Sequence, residues 1–120
     1  MEGIRFELPY PPSLNRYYRH WGARVLISKE GRAYRENVEA IVASLGLPCI
    51  TSAVSVSIDV YPPDARRRDL DNINKALLDA LVSSKLLKDD SLIYELRLVK
   101  REPMPERNGF LYIEIADFAA

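Results

Sequence analysis

The most constraining feature of the sequence is a segment near its middle in which apolar and polar residues alternate strictly. Val54, Val56, Ile58 and Val60 are separated by single polar residues over positions 54–60. A period of two places the apolar side chains on one face of a β-strand and the polar side chains on the other face. The segment therefore predicts a strand over Ile50 to Tyr61, in a sheet that has one face packed against a core.

In other segments, apolar residues recur with a period of two or with helical spacing. Further strands are predicted at residues 4–8, 25–27, 92–102 and 110–116. Apolar residues at helical spacing predict a helix over 29–45, with Ser28 as its N-cap and Gly46 just beyond its end. A second apolar stripe, from Leu70 to Leu81, predicts another helix.

The order of these elements predicts an α+β fold. Strands and helices are interspersed, and two consecutive strands end the chain, which favours a mixed sheet of about four main strands with two helices on one face. The chain has 120 residues and shows no repeat or linker, so we expect a single domain over 1–120.

The composition argues against several classes of protein. The single Cys forms no internal disulfide, and one Cys with one His forms no zinc cluster, so we expect a reducing, cytoplasmic setting. Cys49 is expected to be a small buried residue. The charged N-terminal residues lead us to expect no secretory signal, and the longest uncharged run, Ala40 to Ile58, is too polar for a membrane span. The 17 basic and 17 acidic residues cancel, which argues against a uniformly basic nucleic-acid-binding protein.

The charges are nevertheless unevenly distributed along the chain. Residues 16–35 contain six basic residues against one acid, and residues 66–68 are three consecutive arginines. Basic residues contact phosphates, and aromatic rings between them can stack on bases. Tyr17, Tyr18 and Trp21 are such rings, or they pack on the sheet beneath a solvated loop. Tyr34 lies on the apolar stripe of its helix, where core packing is favoured.

Carboxylates lie on both sides of the second helix. Asp69 and Asp71 follow the arginines, Lys75 lies one turn later, and Asp89 and Asp90 follow the helix. Clustered carboxylates without His or Cys select Mg²⁺ or Mn²⁺. Such an ion polarises a phosphoryl oxygen and lowers the pKa of bound water, as phosphodiester hydrolysis requires, and a nearby lysine can neutralise charge that develops on the phosphate.

These residues also have a purely structural interpretation. Asp69 is a good N-cap residue, Asp71 suits the positive end of a helix, and Asp71 with Lys75 is an ordinary surface pair. Residues 89–90 could form a simple turn. This interpretation leaves the arginines at 66–68 unexplained, because unpaired arginines repel one another and are expected to bind an anion.

Two groups of motifs run in order along nearly the whole chain. The first group is Leu8-Pro9, Pro11-Pro12-Ser13, Asn15, Tyr18-Arg19-His20, Ser28, Gly31 and Tyr34-Arg35. The second group is Arg67-Arg68-Asp69-Leu70-Asp71-Asn72, Lys75-Ala76, Asp79-Ala80-Leu81, Asp89-Asp90-Ser91 and Val99-Lys100. In this order and spacing the motifs resemble the RusA family of Holliday-junction resolvases.

The resemblance implies a homodimeric, Mg²⁺-dependent endonuclease that acts in DNA recombination and repair. It would bind four-way junction DNA and make paired symmetric nicks, for which a two-fold dimer presents two matching sites. The family's essential acids match Asp69, Asp71 and Asp90, which are read as metal ligands, and its essential lysine matches Lys75. The candidate phosphate contacts are Arg16, Arg19, Arg66, Arg67, Arg68 and Lys100.

One departure from the family pattern concerns the end of the second helix. Relatives often carry a glycine there, whereas this chain has Ser84-Lys85-Leu86, so the helix end is expected to differ.

Three alternative functions stay open at the level of sequence. The first is a Mg²⁺ nuclease with less preference for DNA structure. The second is a non-catalytic DNA-binding module whose acids cap helices. The third is a protein-interaction domain, which would show no salt-sensitive affinity for DNA.

Overall fold

The fold is given by a computed structural model that describes residues 3–119. The helices are α1 at Leu14–Tyr17, α2 at Lys29–Leu45 and α3 at Asn74–Ser83. The strands are β1 at Ile4–Pro9, β2 at Tyr18–Trp21, β3 at Arg24–Ile27, β4 at Val54–Tyr61, β5 at Ile93–Lys100 and β6 at Phe110–Asp117. Short 3-10 helices lie at Leu70–Ile73, Asp90–Leu92 and Pro105–Arg107. None of the helices in this part of the chain has the length and apolar character needed to span a membrane.

Four strands form one mixed sheet in the order β1-β6-β4-β5. β6 pairs antiparallel with both β1 and β4, whereas β5 pairs parallel with β4. The predicted α+β class and the mixed four-stranded sheet are confirmed. β2 and β3 form a separate antiparallel hairpin, and neither β2 nor α1 was predicted.

The core lies between one face of this sheet and the helices α2 and α3. Ile58 is paired with Ile113, which is also paired with Phe6, so the three buried side chains lie side by side on that face. Val38 of α2 and Leu81 of α3 belong to the same buried cluster and are fully shielded from solvent. Burial of each such side chain stabilises the fold by about 2 kcal/mol.

The opposite face of the sheet is polar. Arg5 pairs with Glu114 at 3.2 Å, and Arg101 pairs with Asp59 at 2.8 Å. These ion pairs are substantially exposed to solvent, so they contribute little to stability. The two main helices therefore cover only one face, as predicted.

β5 differs from its prediction as a half-buried strand. None of its residues is fully buried, and Tyr94 and Leu96 are 65% and 39% exposed. The reason is its position at the edge of the sheet, where it is hydrogen-bonded only to β4. Ile93 and Leu98 still pack against the core as partly buried residues.

The ends of α2 match the sequence signals. The Ser28 hydroxyl accepts a hydrogen bond from the backbone N–H of Gly31 at 3.0 Å, which satisfies a free amide of the first turn. Gly46 adopts the left-handed conformation that ends the helix, with φ of 64°.

The end of α3 uses a residue that is poorly suited to its conformation. Lys85 has φ of 64°, in the left-handed region that glycine adopts without strain. Its backbone N–H donates to the Val82 carbonyl at 3.0 Å, so the helix closes despite the missing glycine. A non-glycine residue pays about 1 kcal/mol for this conformation.

Cys49 was predicted to be buried, and this prediction is wrong. The cysteine is exposed, because β4 begins only at Val54 and residue 49 lies in the connecting segment. The neighbouring Ile50 is buried instead, and its backbone N–H donates to the Leu86 carbonyl at 2.8 Å.

Candidate active site and nucleic-acid interface

Two segments that are distant in sequence meet at an open cleft of about 370 Å³. One wall comes from α1 and the segment before it, and the other comes from the loop after β4 and the first 3-10 helix. The polar and charged residues that line the cleft are Ser13, Asn15, Arg16, Arg66, Arg67, Arg68, Asp69 and Asn72. The fold thus joins the opening Pro-Pro-Ser motif to the arginine run.

Two of the three consecutive arginines bind an anion supplied by the chain itself. The Arg68 guanidinium donates to the Asp64 carboxylate at 2.5 Å, and the Arg66 guanidinium lies 3.5 Å from the same group. The backbone N–H of Arg66 also donates to the Asp64 carboxylate at 3.0 Å. The Arg68 hydrogen bond, followed by this backbone hydrogen bond, lowers the pKa of Asp64 to about 2. Arg67 is exposed and has no side-chain partner within residues 3–119.

Lys100 lies beside the same loop at the carboxyl end of β5. Its ammonium group donates to the backbone carbonyl of Arg68 at 2.9 Å. Because Asp69 is the next residue, this bond fixes the backbone that carries the first predicted metal ligand. Lys100 therefore has a structural contact in addition to its predicted role toward phosphate.

The two remaining basic candidates lie in different places. Arg16 lines the cleft and pairs with Glu30 at 3.1 Å through exposed side chains. Arg19 is on the β2–β3 hairpin outside the cleft lining, with its guanidinium 5.6 Å from the ring centre of Trp21. Four of the six predicted phosphate contacts thus line one cleft, Lys100 is hydrogen-bonded to the backbone of its arginine segment, and Arg19 lies outside it.

The aromatic residues of this region divide into buried and exposed ones. Tyr17 is fully buried and meets Tyr18 edge to face at 5.0 Å, so Tyr17 is a core residue. Tyr34 is also buried, and its hydroxyl donates to the Pro9 carbonyl at 2.8 Å. Trp21 is 65% exposed at the end of β2 and is free to meet a partner.

Asp69 and Asp71 are exposed at the start of the first 3-10 helix. Asp69 precedes this helix, but its side chain makes no capping hydrogen bond. Neither carboxylate has a side-chain partner in the described part of the chain. Of the structural interpretation, the fold confirms only that Asp71 lies in the first turn of a helix. Both carboxylates are therefore available to a ligand.

Lys75 pairs with a residue that sequence reasoning missed. Its ammonium group lies 3.3 Å from Oδ1 of Asp79, one turn ahead on α3, and not against Asp71. The backbone at Asp71 is a 3-10 helix, which turns faster than an α-helix and carries Asp71 away from the face of Lys75. Lys75 and Asp79 are four residues apart, a spacing that places two side chains next to each other on one face of a helix. This spacing could have identified Asp79 as the partner of Lys75.

The carboxylate of Asp79 has a second partner. The hydroxyl of the buried Tyr17 donates to Oδ2 of Asp79 at 3.0 Å. The negative charge of Asp79 is the main cause that raises the pKa of Lys75, and Asp90 contributes to the same shift. Lys75 therefore stays charged over a wide range of pH.

Asp90 begins the second 3-10 helix. It lines a surface depression that is separate from the arginine cleft. The depression is open, measures about 370 Å³, and contains Asp79, Asp89 and Asp90 together with Arg35 of α2. Asp89 accepts a hydrogen bond from the Ser91 hydroxyl, which is the largest cause that lowers the pKa of Asp89.

The three predicted metal ligands are consequently divided within one chain. Asp69 lines the arginine cleft, and Asp90 lines the second depression. Across residues 3–119 there is no group of three or more His, Cys, Asp or Glu residues arranged to hold a metal ion. The donor chemistry fits Mg²⁺, because exposed carboxylates are its preferred protein ligands, and it is often held by only one or two of them with water and substrate phosphate.

Comparison with known proteins identifies the family of this chain. The family described as "Endodeoxyribonuclease RusA" matches residues 9–116. A protein of Enterobacteria phage HK97, named crossover junction endodeoxyribonuclease rusA, is 40% identical over 98% of this chain and 97% of its own length. Proteins of the same name from Shigella sonnei and Escherichia coli K12 are 46% and 45% identical over 91% of this chain and 89% of their length. The chain belongs to the RusA family of endodeoxyribonucleases.

Proposed function

We propose that the protein is a crossover junction endodeoxyribonuclease that resolves four-way (Holliday) DNA junctions in recombination and repair. The observation that carries the proposal is the cleft in which Arg16, the arginines at 66–68 and the unpaired Asp69 lie together. A cluster of cations suits the charge of a phosphodiester, and the free carboxylate would help to hold the divalent cation that activates phosphate and water.

The arginines of the cleft supply the contacts to the DNA backbone. Arg67 is exposed and has no side-chain partner within residues 3–119, so it can bind a phosphate without breaking an existing contact. Arg16 and Arg66 are held only by exposed ion pairs, which are weak and exchange readily for phosphate. Each arginine that reaches a phosphate forms a charge-assisted hydrogen bond and displaces counterions from the DNA.

Asp69, Asp71 and Asp90 are the acids that would hold one or two Mg²⁺ ions, for which Mn²⁺ could substitute. Asp69 and Asp71 have no side-chain partner in the described residues, and carboxylate oxygens are ligands that suit these ions. When bound, the ion supplies Lewis-acid activation of phosphate and water. Lys75, which forms an ion pair with Asp79, would neutralise negative charge that develops on the phosphate.

Resolution of a junction requires two cuts that are related by symmetry. One chain offers one arginine cleft of this kind in its described residues, so we propose a homodimer that cuts opposing strands in symmetric pairs. We place its action in the cytoplasm, where bacterial and phage DNA recombine.

The decisive experiment uses Asp71→Asn with Glu39→Gln as the matched control. Glu39 is an exposed acid on α2 outside both depressions, so its loss removes the same charge without touching the site. With a labelled four-way junction and Mg²⁺, we expect Glu39→Gln to make paired nicks, and Asp71→Asn to bind the junction and leave it uncut.

Three results would contradict the proposal. Equal cutting of linear duplex, flap and four-way junction by the unaltered protein would indicate a less selective nuclease. Binding of junctions without any nicking would indicate a non-catalytic DNA-binding module. Absence of salt-sensitive DNA affinity would indicate a protein-interaction domain.

A further inference from the structure

The two carboxylate oxygens of Asp79 contact residues on two different elements of the fold. Oδ1 lies 3.3 Å from the ammonium nitrogen of Lys75 on the same helix, and Oδ2 accepts the hydroxyl of Tyr17 at 3.0 Å. Tyr17 ends α1, 62 residues earlier in the chain. The carboxylate is thus the link between the lysine and the buried tyrosine.

The tyrosine end of this link is rigid. Tyr17 is fully buried, and its backbone carbonyl accepts a hydrogen bond from the Ser28 N–H at 2.8 Å. Gly31, in the first turn of α2, lies directly against Tyr17. A side chain that is enclosed in this way has one conformation, so its hydroxyl holds the Asp79 carboxylate in one orientation.

An ordinary surface pair of lysine and aspartate would not achieve this. Such a pair is weak, because two flexible side chains must be ordered to make one contact. Here Tyr17 has already ordered the Asp79 side chain, which is itself only 26% exposed, so only Lys75 has freedom left to lose.

We propose that Asp79, braced by Tyr17, is a positioning residue that holds the Lys75 ammonium group in place for the scissile phosphate. The inference rests on the proposed nuclease function. It assigns to Asp79 a role through Lys75 and not as a metal ligand, because both of its carboxylate oxygens already have partners.

Several charged or titratable groups besides Asp79 also affect the pKa of Lys75. Asp79 on its own helix acts most strongly, followed by Tyr18 from β2 and Asp90 from the turn before β5. Arg35 of α2 faces the Tyr17 side of the link. Lys75 is also half exposed, so solvent screens all of these interactions.

The test compares Asp79→Asn and Tyr17→Phe in the full-length protein, with Glu39→Gln as the control. The readouts are junction affinity, kcat for cleavage, and the NMR titration of the Lys75 side chain in protein with ¹³C-labelled lysine. We expect both variants to bind the junction as tightly as the unaltered protein and to lose kcat by about tenfold. We also expect the Lys75 titration to move to lower pH in Asp79→Asn, where the negative charge is gone, and to move little in Tyr17→Phe, where the charge stays.

The NMR titration does not depend on cleavage, so this inference and the proposed function can fail separately. An unchanged Lys75 titration in Asp79→Asn overturns the link, whether or not the protein cuts junctions. An unchanged kcat in Asp79→Asn overturns the positioning role. Recovery of kcat at raised Mg²⁺ also overturns it, since it would identify Asp79 as a metal ligand. If Tyr17→Phe fails to fold, Asp79→Asn alone still decides between these results.

Discussion

Gly31 and Tyr17 pack against each other with no side chain between them. A Cβ added at Gly31 would lie 2.7 Å from the carbonyl oxygen of Tyr17 and 3.0 Å from its ring. Glycine is required here for space, because residue 31 lies within the α-helix and any residue could adopt its backbone conformation. The contact places α1 against α2 and thereby sets the position of the Tyr17 hydroxyl.

Gly31→Ala is therefore expected to destabilise the fold. The backbone oxygen of Tyr17 cannot swing aside as a flexible side chain would, so overpacking costs about 1–3 kcal/mol. The better helix propensity of alanine offsets up to about 1 kcal/mol of this. Thermal unfolding followed by circular dichroism should show a melting temperature lower by several degrees, whereas Glu39→Ala on the exposed face of α2 should change it little. A melting temperature that stays the same or rises would show that α1 can move away without cost.

Lys85→Gly is expected to stabilise the protein. Lysine at this position holds a left-handed conformation with φ of 64°, and glycine adopts it without the steric cost. The gain should be about 0.5–1 kcal/mol, because glycine also makes the unfolded chain more flexible. Urea unfolding provides the measurement. The control is Lys88→Gly, a nearby exposed position without a left-handed backbone, which should lower the midpoint. A fall in the midpoint of Lys85→Gly would contradict the prediction.

Arg67→Ala is expected to weaken junction binding without affecting stability. The side chain is exposed and has no partner within residues 3–119, so its removal leaves no buried group unsatisfied. If Arg67 neutralises one phosphate, the slope of log affinity against log salt should fall by about one. Arg5→Ala on the polar face of the sheet, away from the cleft, is the control and should leave the slope unchanged. Equal losses in both variants would indicate that binding is not centred on the cleft.

The ion pairs of Asp64 predict a specific dependence of stability on pH. Arg68 and Arg66 lower the pKa of Asp64 to about 2 in the folded protein, against an ordinary value of 3.8. Between these values the unfolded chain binds the proton more readily, so the contribution is complete above pH 3.8 and is lost as the pH falls toward 2. The difference in urea midpoint between the unaltered protein and Asp64→Asn should therefore shrink from pH 5 to pH 2.5. A difference that stays constant over this range would show that the carboxylate charge does not matter.

Sequence periodicity predicted the elements whose cause is local. β4 alternates because one of its faces is buried. α2 follows Ser28, whose hydroxyl accepts a hydrogen bond from a free amide of the first turn, and it ends before Gly46, which adopts the left-handed conformation. α1 and β2 escaped prediction, since each has only four residues and neither carries an apolar run like that of residues 25–27 in β3. The low burial of β5 also escaped prediction, because alternation does not reveal which strand lies at the edge of a sheet.

The sequence by itself determined the chemical inventory of the candidate site: a run of arginines, acids on both sides of a helix, and a lysine among them. Only the tertiary structure decided how these groups are distributed. It placed Asp69 with the arginines and Asp90 in a separate depression, and it gave Lys75 the partner Asp79. The physical reason is that residue types and short spacings are local properties. The contact between Tyr17 and Asp79, by contrast, exists only because α1 and α3 pack together across 62 residues of chain.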